Sequence, residues 1–524
     1  MPENLLTILI CLSPALFAAT AVLSWFNKGK RPKSVISAAK VASIISIPIS
    51  LISVFFVFQS GVFEIIAFET RGLGFSLRLD PLSTVIFAMI NLIGFVVLRF
   101  SYNYMDGDSR QGVFTGRLAA TIGAVQLLVL SGNLVLLALA WIVTSFSLHR
   151  LLLFYPDRPR ARIAARKKFI AARLSDASLI VACVLLYIHF QTGNLGAIAD
   201  GMREMLSGEI PWTIELSALF IAVAAILKSA LFPTHGWLIE VMETPTPVSA
   251  LLHAGLLNAG PFLAARVAYV LEGSQYAPMV LIAFGGVTAL FASLAYLTQT
   301  SVKTALGYSS VSHMGFSLLL CGLGLYSAAV LHLVAHSFYK AHAFLSSGSA
   351  IDVIKGSQTV SNQRAGKLVR VVTSVVMAGA LFTAPFILFG VNPLHEMDFL
   401  AVGSVVVLGL SLLISRSLDA RLRSGVLSRI VLLSLMVAVA FFALETGMSR
   451  ILGAEVPALA GSHELLSVLT ISLLATFAIA TLAQALSPQG SSNRFWQKMA
   501  IHFRNGFYTN AAFNRLVNAL KFRQ

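Results

Sequence analysis

The chain has 524 residues, of which 57% are hydrophobic and 11% charged, and its formal net charge is +16. A soluble domain carries roughly 25% charged residues, so this composition excludes a soluble globular protein and leaves little room for a soluble domain. The cations do not mark a nucleic-acid binder, because they fall on alternate loops between apolar stretches and not in one patch.

A helix that spans a bilayer needs about 20 mostly apolar residues. On that rule the chain offers about fifteen stretches: 5–25, 41–58, 82–100, 118–131, 134–153, 169–190, 214–232, 248–270, 278–298, 304–325, 326–348, 368–390, 399–415, 425–446 and 465–486. Only Ser131-Gly132-Asn133 separates the fourth from the fifth. The expected fold is all-α: a polytopic membrane protein of about 13–15 transmembrane helices, some of them broken. Residues 1–490 form the membrane domain and 491–524 a basic tail. The first stretch is long and lacks a basic leader, so it reads as a retained helix and not as a cleaved signal.

The basic loops hold Lys28, Lys30, Arg31 and Lys33, then Arg110 and Arg117, then the run Arg158–Lys168. Lys355, Arg364 and Lys367 follow, then Arg416, Arg421 and Arg423. The alternate loops are mainly acidic, with Glu64, Glu69, Asp80, Asp200, Glu204, Glu209, Glu396, Asp398 and Glu455. The positive-inside rule then puts the N-terminus outside and the C-terminus in the cytoplasm. The expected location is the cell (inner) membrane. The run Arg158–Lys168 reads as an interfacial helix, a docking surface for a cytoplasmic partner, or a solvated loop. In the tail, Phe495, Met499, Phe503 and Phe507 recur every four residues among basic ones, which suits an amphipathic helix on the membrane surface.

Cys11, Cys183 and Cys321 lie in apolar stretches, and no Cys/His cluster exists. Disulfides and iron–sulfur or zinc sites are not expected. No quinone, flavin or nucleotide motif is present, so neither a cofactor nor catalysis by this chain alone is expected.

Ionisable groups inside spans are costly and default to functional candidates. Lys228 ends an apolar stretch and meets Pro233, and the chain then passes through Thr244-Pro245-Thr246-Pro247. An amine desolvated beside such a break can load and release a proton near neutral pH. The alternative is a lysine that snorkels to the interface. His253 follows the break by roughly two helical turns and suits a relay. His332, His336 and Lys340 recur at a spacing of four and share one helix face, with His342 on another. Such a row is what a proton wire needs, and polar glue between helices is its alternative. Lys303 opens the stretch that holds His313, and it also fits a boundary marker. Arg173 and Asp176 are three apart and can pair. Asp176 next to a buried lysine would tune that lysine's proton affinity. Arg266 is intramembrane, with no partner legible in the sequence. Glu240 and Glu243 precede the break, and either line a path or are solvated.

The runs Lys228–Leu238 and Thr244–Ala254 together resemble the antiporter-like membrane subunits of respiratory complex I and of Mrp cation/proton antiporters. Arg173-Leu174-Ser175-Asp176, the His332–Lys340 row and Val302–Gly315 fit the same family, and Asn505-Gly506-Phe507-Tyr508 looks like the chain L type. The resemblance covers most of 80–350 and is weak beyond 370. It implies an antiporter-like fold and ion translocation through Lys228, His253, His332, His336, Lys340, Lys303, His313, Asp176 and Arg173.

The chain departs from the family at two places. Ile142 stands where relatives have a glutamate after the residue matching Trp141, a carboxylate thought to pair with the lysine matching Lys228. The stretch Val371–Gly390 lacks the central lysine or glutamate usual in the later span. Ser147–Pro156, with the basic run after it, resembles the membrane subunit of Dab-type inorganic-carbon transporters. That resemblance implies proton (or sodium) entry coupled to conversion of carbon dioxide to bicarbonate. The conversion would be carried out by a large cytoplasmic partner resembling a zinc carbonic anhydrase. The rival readings are a subunit of an NADH-quinone oxidoreductase or Mrp-type antiporter, and a scaffold without ion flux.

Overall fold

The computed structural model describes residues 3–241, 244–348, 368–389, 424–457, 464–486 and 494–519, with parts of 403–415. The chain is a bundle of helices. The first six are α1 (Glu3–Phe26), α2 (Lys33–Ser60), α3 (Pro81–Tyr104), α4 (Gln111–Val129), α5 (Leu134–Leu152) and α6 (Pro159–Phe190). A short α7 (Leu195–Met205) leads to α8 (Trp212–Lys228), α9 (Gly236–Glu240) and α10 (Thr246–Ala254). Then come α11 (Ala259–Arg266), α12 (Ala268–Glu272), α13 (Ala277–Leu297), α14 (Val302–Gly322) and α15 (Tyr326–Leu345). The later part holds α16 (Leu368–Phe389), α17 (Ser424–Leu452), α18 (Glu464–Leu486), α19 (Arg494–Arg504) and α20 (Thr509–Ala519).

Among the described residues, nine helical segments are long and apolar enough to cross a membrane. The expected spans 304–325 and 326–348 are the full-length helices α14 and α15, whose histidines, lysines and serines lower their hydropathy. The span expected at 214–232 is a 17-residue helix that stops at Lys228. The stretch 399–415 lies largely outside the described residues.

Ser131-Gly132-Asn133 is a genuine turn. Asn133 caps α5 by accepting from the Leu136 amide at 2.8 Å, and the Gly132 amide donates to the Ser76 carbonyl at 2.9 Å. Its partner is a β-hairpin that the alternation of apolar spans did not announce. β1 (Phe63–Thr70) and β2 (Leu73–Leu79) pair antiparallel, with Glu64 opposite Arg78 and a bulge between Ile66 and Phe68. The hairpin turn presses on the 193–194 backbone: a Cβ on Gly72 (φ +72°) would sit 2.3 Å from the Asn194 nitrogen, so glycine is required there.

α6 begins ten residues before the expected 169, because Pro159 sits comfortably in a first helical turn and the Ala-rich stretch after it continues the helix. Lys167 and Lys168 are therefore buried inside the bundle and not in a solvated loop. The expected helix 248–270 is itself broken, by a 3₁₀ turn at Leu256–Asn258 and again at Val267. Pro261 has no N–H to give the Leu257 carbonyl, and that carbonyl accepts from the Ser229 hydroxyl at 3.0 Å. α13 and α14 approach closely, since a Cβ on Gly285 would lie 2.7 Å from the Gly315 carbonyl oxygen.

A buried ion network closes the hairpin end of the bundle. Arg78 reaches Glu64 at 2.7 Å, Asp80 at 2.8 Å and Glu455 at 3.2 Å. Arg266 pairs with Asp80, the partner that the sequence did not reveal. Asp80 also caps α3 through the Ser83 amide at 2.7 Å, so one fully buried carboxylate joins the hairpin, α3 and α11. Burial by itself would raise the Asp80 carboxyl, but Arg266 and then Arg78 hold it well below the usual carboxylate range. The folded value thus lies below the unfolded value of about 3.9. The network's stabilisation is complete above that pH and is lost as pH falls toward the depressed folded value.

Replacing Asp80 by Ala is expected to strand Arg266, whose side chain is 4% exposed, and to destabilise the fold by about 3–5 kcal/mol. Thermal unfolding in nanodiscs reads this, and an unchanged midpoint would contradict the role given to the network. The gap in midpoint between wild type and Asp80→Asn is expected to shrink as pH is lowered below about 4.

Candidate functional site

Lys228 is the last residue of α8, and its half-buried side chain crosses to α5. Its ammonium donates to the Trp141 carbonyl at 2.8 Å, the Ser145 hydroxyl at 2.6 Å and the Thr144 hydroxyl at 3.3 Å. An ammonium has three protons to donate, and these oxygens occupy them. The same Nζ lies 4.2 Å from the centroid of the Trp141 ring. Trp141 is fixed in turn, its indole donating to Ser175, which donates on to the Ala224 carbonyl at 2.8 Å. One turn of α5 thus supplies neutral oxygens at the level of Ile142, the position where the resemblance led one to expect a glutamate.

A second lysine shares this turn. Lys168, only 5% exposed, donates to the Ser145 carbonyl at 2.5 Å. Ser145 therefore holds one lysine with its hydroxyl and another with its carbonyl. Arg173 and Asp176 pair at 2.5 Å, with Arg173 lying over the Phe146 ring at 4.3 Å. Asp176 remains near enough to Lys228 and Lys168 to act on both electrostatically. A cavity of about 20 Å³ is lined by Thr144, Ser145, Lys168, Lys228, Trp237 and Leu256. A second of about 20 Å³ shares Thr144 and Leu256 with it and reaches Asn258. Each has room for about one water molecule. The first offers it two lysines and two hydroxyls, whereas the second is mostly apolar and offers only Thr144 and Asn258 as polar side chains.

Asn258 carries the line to α15. It donates to the Ala254 carbonyl at 3.0 Å and to Ser337 on α15 at 2.7 Å, and its buried side-chain oxygen has no partner among the described residues. Beside Ser337 in the chain stands His336, buried, with both ring nitrogens unpartnered among the described residues. His336 and His313 lie 4.9 Å apart between ring centroids, and His313 Nδ1 is 3.1 Å from His332 Nε2. His253 is fully buried, stacked on Phe344 at 4.3 Å, and both its ring nitrogens are likewise unpartnered. Lys340, fully buried, donates to Ser309 at 2.8 Å and to the Leu306 carbonyl at 3.2 Å. Lys303, half-buried at the start of α14, reaches Thr246 at 3.4 Å. His342 is exposed on another face.

The structure thus brings together His253, His313, His332, His336 and Lys340, and separately Lys228, Lys168, Asp176 and Arg173. Lys303 stands at the end of the first group. Titratable groups separated by hydroxyls, carbonyls and single-water cavities can hand a proton from one to the next. Among the described residues no group of three or more His, Cys, Asp or Glu is arranged to hold a metal ion.

The sequence reading missed Lys168 and the uncharged links Thr144, Ser145, Asn258, Ser309 and Ser337. Hydroxyls and amides in apolar spans carry no distinctive spacing. Their signal is tertiary, in which face meets a lysine.

Glu240 is neither solvated nor a free lining group. It pairs with the fully buried Lys167 at 2.7 Å, and Asn510 of α20 accepts from Lys167 at 2.5 Å and donates to Glu240 at 2.8 Å. Glu243 lies outside the described residues. The tail is thus divided at 505–508. α19 keeps exposed apolar residues such as Phe495 and Ile501, while α20 packs against α6 and α9. For α20 this packing against the bundle replaces the expected surface helix, and the expectation then concerns α19 alone.

The chain matches the family described as NADH:quinone oxidoreductase/Mrp antiporter, transmembrane, over residues 131–401. It also matches the one described as NADH-ubiquinone oxidoreductase (complex I), chain 5 N-terminus, over 66–115. It is 40% identical over 347 residues to the probable inorganic carbon transporter subunit DabB2 of Halothiobacillus neapolitanus, covering 66% of this chain and 62% of that protein. It is 42% identical over 274 residues to the probable inorganic carbon transporter subunit DabB of Hydrogenovibrio crunogenus, covering 52% of each. The matched part thus spans 52–62% of the length of these curated relatives. Among solved structures, the fold is similar to a chain of the Mrp complex from Dietzia sp. The TM-score is 0.64 at 22% identity, over 97% of this chain and 59% of that one.

Replacing Asn510 by Ala removes the residue that bridges Lys167 and Glu240 and is expected to release α20. Limited trypsin digestion should then cut at Arg515 several times faster than in wild type while the membrane bundle stays intact. An unchanged rate would show that α20 is held by other contacts.

Proposed function

The chain belongs to the NADH:quinone oxidoreductase/Mrp antiporter transmembrane family, a polytopic membrane family. From that premise we propose that it is the cation-translocating, most simply proton-translocating, membrane subunit of an energy-coupled inorganic-carbon uptake complex. The observation that carries translocation is the continuity of the titratable groups. Lys228 and Lys168 meet at Ser145, the two small cavities lead to Asn258, and Asn258 touches Ser337 in the helix that carries His332, His336 and Lys340. His313 and His253 complete the cluster, and Lys303 marks its exit to the basic face. Arg173 and Asp176 set the field around Lys228.

In this reading Lys228 alternates between holding its third proton and passing it on. Its neutral cradle suits that exchange, because a carbonyl and two hydroxyls hold either form of the amine without trapping the cation as a carboxylate would. The reading of carbon rests on the two relatives named above. The partner in this reading is a large cytoplasmic zinc protein resembling carbonic anhydrase, docked on the basic face, as the resemblance of Ser147–Pro156 to Dab-type membrane subunits implies. The N-terminus would then lie outside and the C-terminus in the cytoplasm of the cell (inner) membrane. A role in an NADH-quinone oxidoreductase or Mrp antiporter is the second reading, supported by the family match and the solved fold. Ile142 in place of the glutamate favours the first.

Lys228→Ala and His336→Ala are each expected to abolish growth at low carbon dioxide, with uptake lowered roughly 100-fold or more, while the subunits still co-purify. Normal growth of both variants in low carbon dioxide would overturn the proposal. Co-purification of dehydrogenase subunits in place of a zinc protein would select the second reading.

A further inference from the structure

The largest of these cavities lies away from the titratable line. About 400 Å³ opens between α2 and α3, lined by Lys40, Ser43, Ile44, Phe95, Arg99, Tyr102 and Asn103. Lys40 stands seven residues into α2 and Arg99 five before the end of α3, which is about 8–10 Å along each helix. That places both cations at headgroup depth on the face that carries the basic loops.

Both side chains are exposed, and the acidic groups nearby in the chain are engaged elsewhere. Asp106 pairs with Arg31 at 2.7 Å, and Asp108 accepts from Tyr155 at 2.8 Å. Lys40 Nζ lies 5.3 Å from the centroid of the Tyr102 ring, and the Tyr102 hydroxyl is buried without a hydrogen-bond partner among the described residues. The deeper wall is apolar: Ile44 is 55% exposed and Phe95 half-buried, and Val41 and Val96 beside them face outward. Two exposed cations above an outward apolar wall complement a phosphate carried on hydrocarbon chains.

We propose that this groove seats one anionic phospholipid, its phosphate between Lys40 and Arg99 and its acyl chains along Ile44 and Phe95. The charge and the wall argue for the same molecule, since free inorganic phosphate has no use for the wall and a zwitterionic lipid gains little from two cations. The lipid would fix α2 against α3 at the basic face.

Wild type, Lys40→Gln/Arg99→Gln and Lys40→Arg/Arg99→Lys are purified in detergent and analysed by native mass spectrometry during stepwise delipidation with added phosphatidylglycerol or phosphatidylcholine. Wild type and the charge-conserving variant are expected to retain one phosphatidylglycerol. The glutamine variant should lose it roughly 25-fold more readily, from about 1 kcal/mol per cation. Phosphatidylcholine should not be retained. Equal retention by the glutamine variant, or of phosphatidylcholine by wild type, would overturn the proposal. So would inorganic phosphate raising the melting temperature of delipidated wild type as much as phosphatidylglycerol does. Melting temperature also confirms that each variant is folded.

Discussion

An ammonium group inside a bilayer has to find oxygen within the protein, and the interior of this bundle is arranged around that need. Lys228 finds it in one turn of α5, from the Trp141 carbonyl, Thr144 and Ser145. Lys340 finds it in α14, from Ser309 and the Leu306 carbonyl. Each lysine is held by a serine hydroxyl and a backbone carbonyl. Neutral oxygens satisfy the cation and leave its charge free to be exchanged, whereas a carboxylate would fix it. The Lys228–Trp141–Ser175–Ala224 chain ties α8, α5 and α6 together, so the site and the packing of three helices depend on the same contacts.

The breaks in the helices follow from the same constraint. A continuous helix satisfies its own backbone and offers nothing to a neighbour. Pro261 frees the Leu257 carbonyl for Ser229, and the 3₁₀ turn at Leu256–Asn258 brings an amide side chain to α15. Charge is treated differently at the two ends of the bundle. At the hairpin end, Asp80 is locked between Arg78 and Arg266, an arrangement suited to closure and stability. At the opposite end the Lys167–Glu240 pair is bridged by the neutral amide of Asn510, which ties α20 to α6 and α9.

The membrane class and the run of helices were legible because about 20 apolar residues is a signal that survives without tertiary information. The row His332–His336–Lys340 was legible because a spacing of four fixes a helix face, and the structure sets His313 of α14 beside it. Asp176 was legible as a partner for Arg173, and as a carboxylate that would act on a buried lysine close to it. It pairs with Arg173 and lies within electrostatic reach of Lys228, while hydroxyls hold the lysine. Lys168 looked like the end of a cytoplasmic basic run, because charge counting cannot tell a loop from the first turns of a long helix. The Asp80–Arg266 pair was hidden by a separation of 186 residues. The hairpin at 63–79 was hidden because its strands of 8 and 7 residues are far shorter than a span and carry no span-length apolar signal.

On the reading proposed above, protons pass from the Lys228 cluster to the α15 row along a polar path ordered by Asn258, the side chain that touches both the second cavity and Ser337. The most direct test is proton uptake into proteoliposomes holding the purified chain with its co-purifying subunits, driven by an imposed pH gradient. Asn258→Leu keeps every titratable group and removes only the polar link. Wild type is expected to take up protons and Asn258→Leu to lose at least roughly tenfold while melting and assembling like wild type. Uptake by Asn258→Leu at the wild-type rate would contradict the claim.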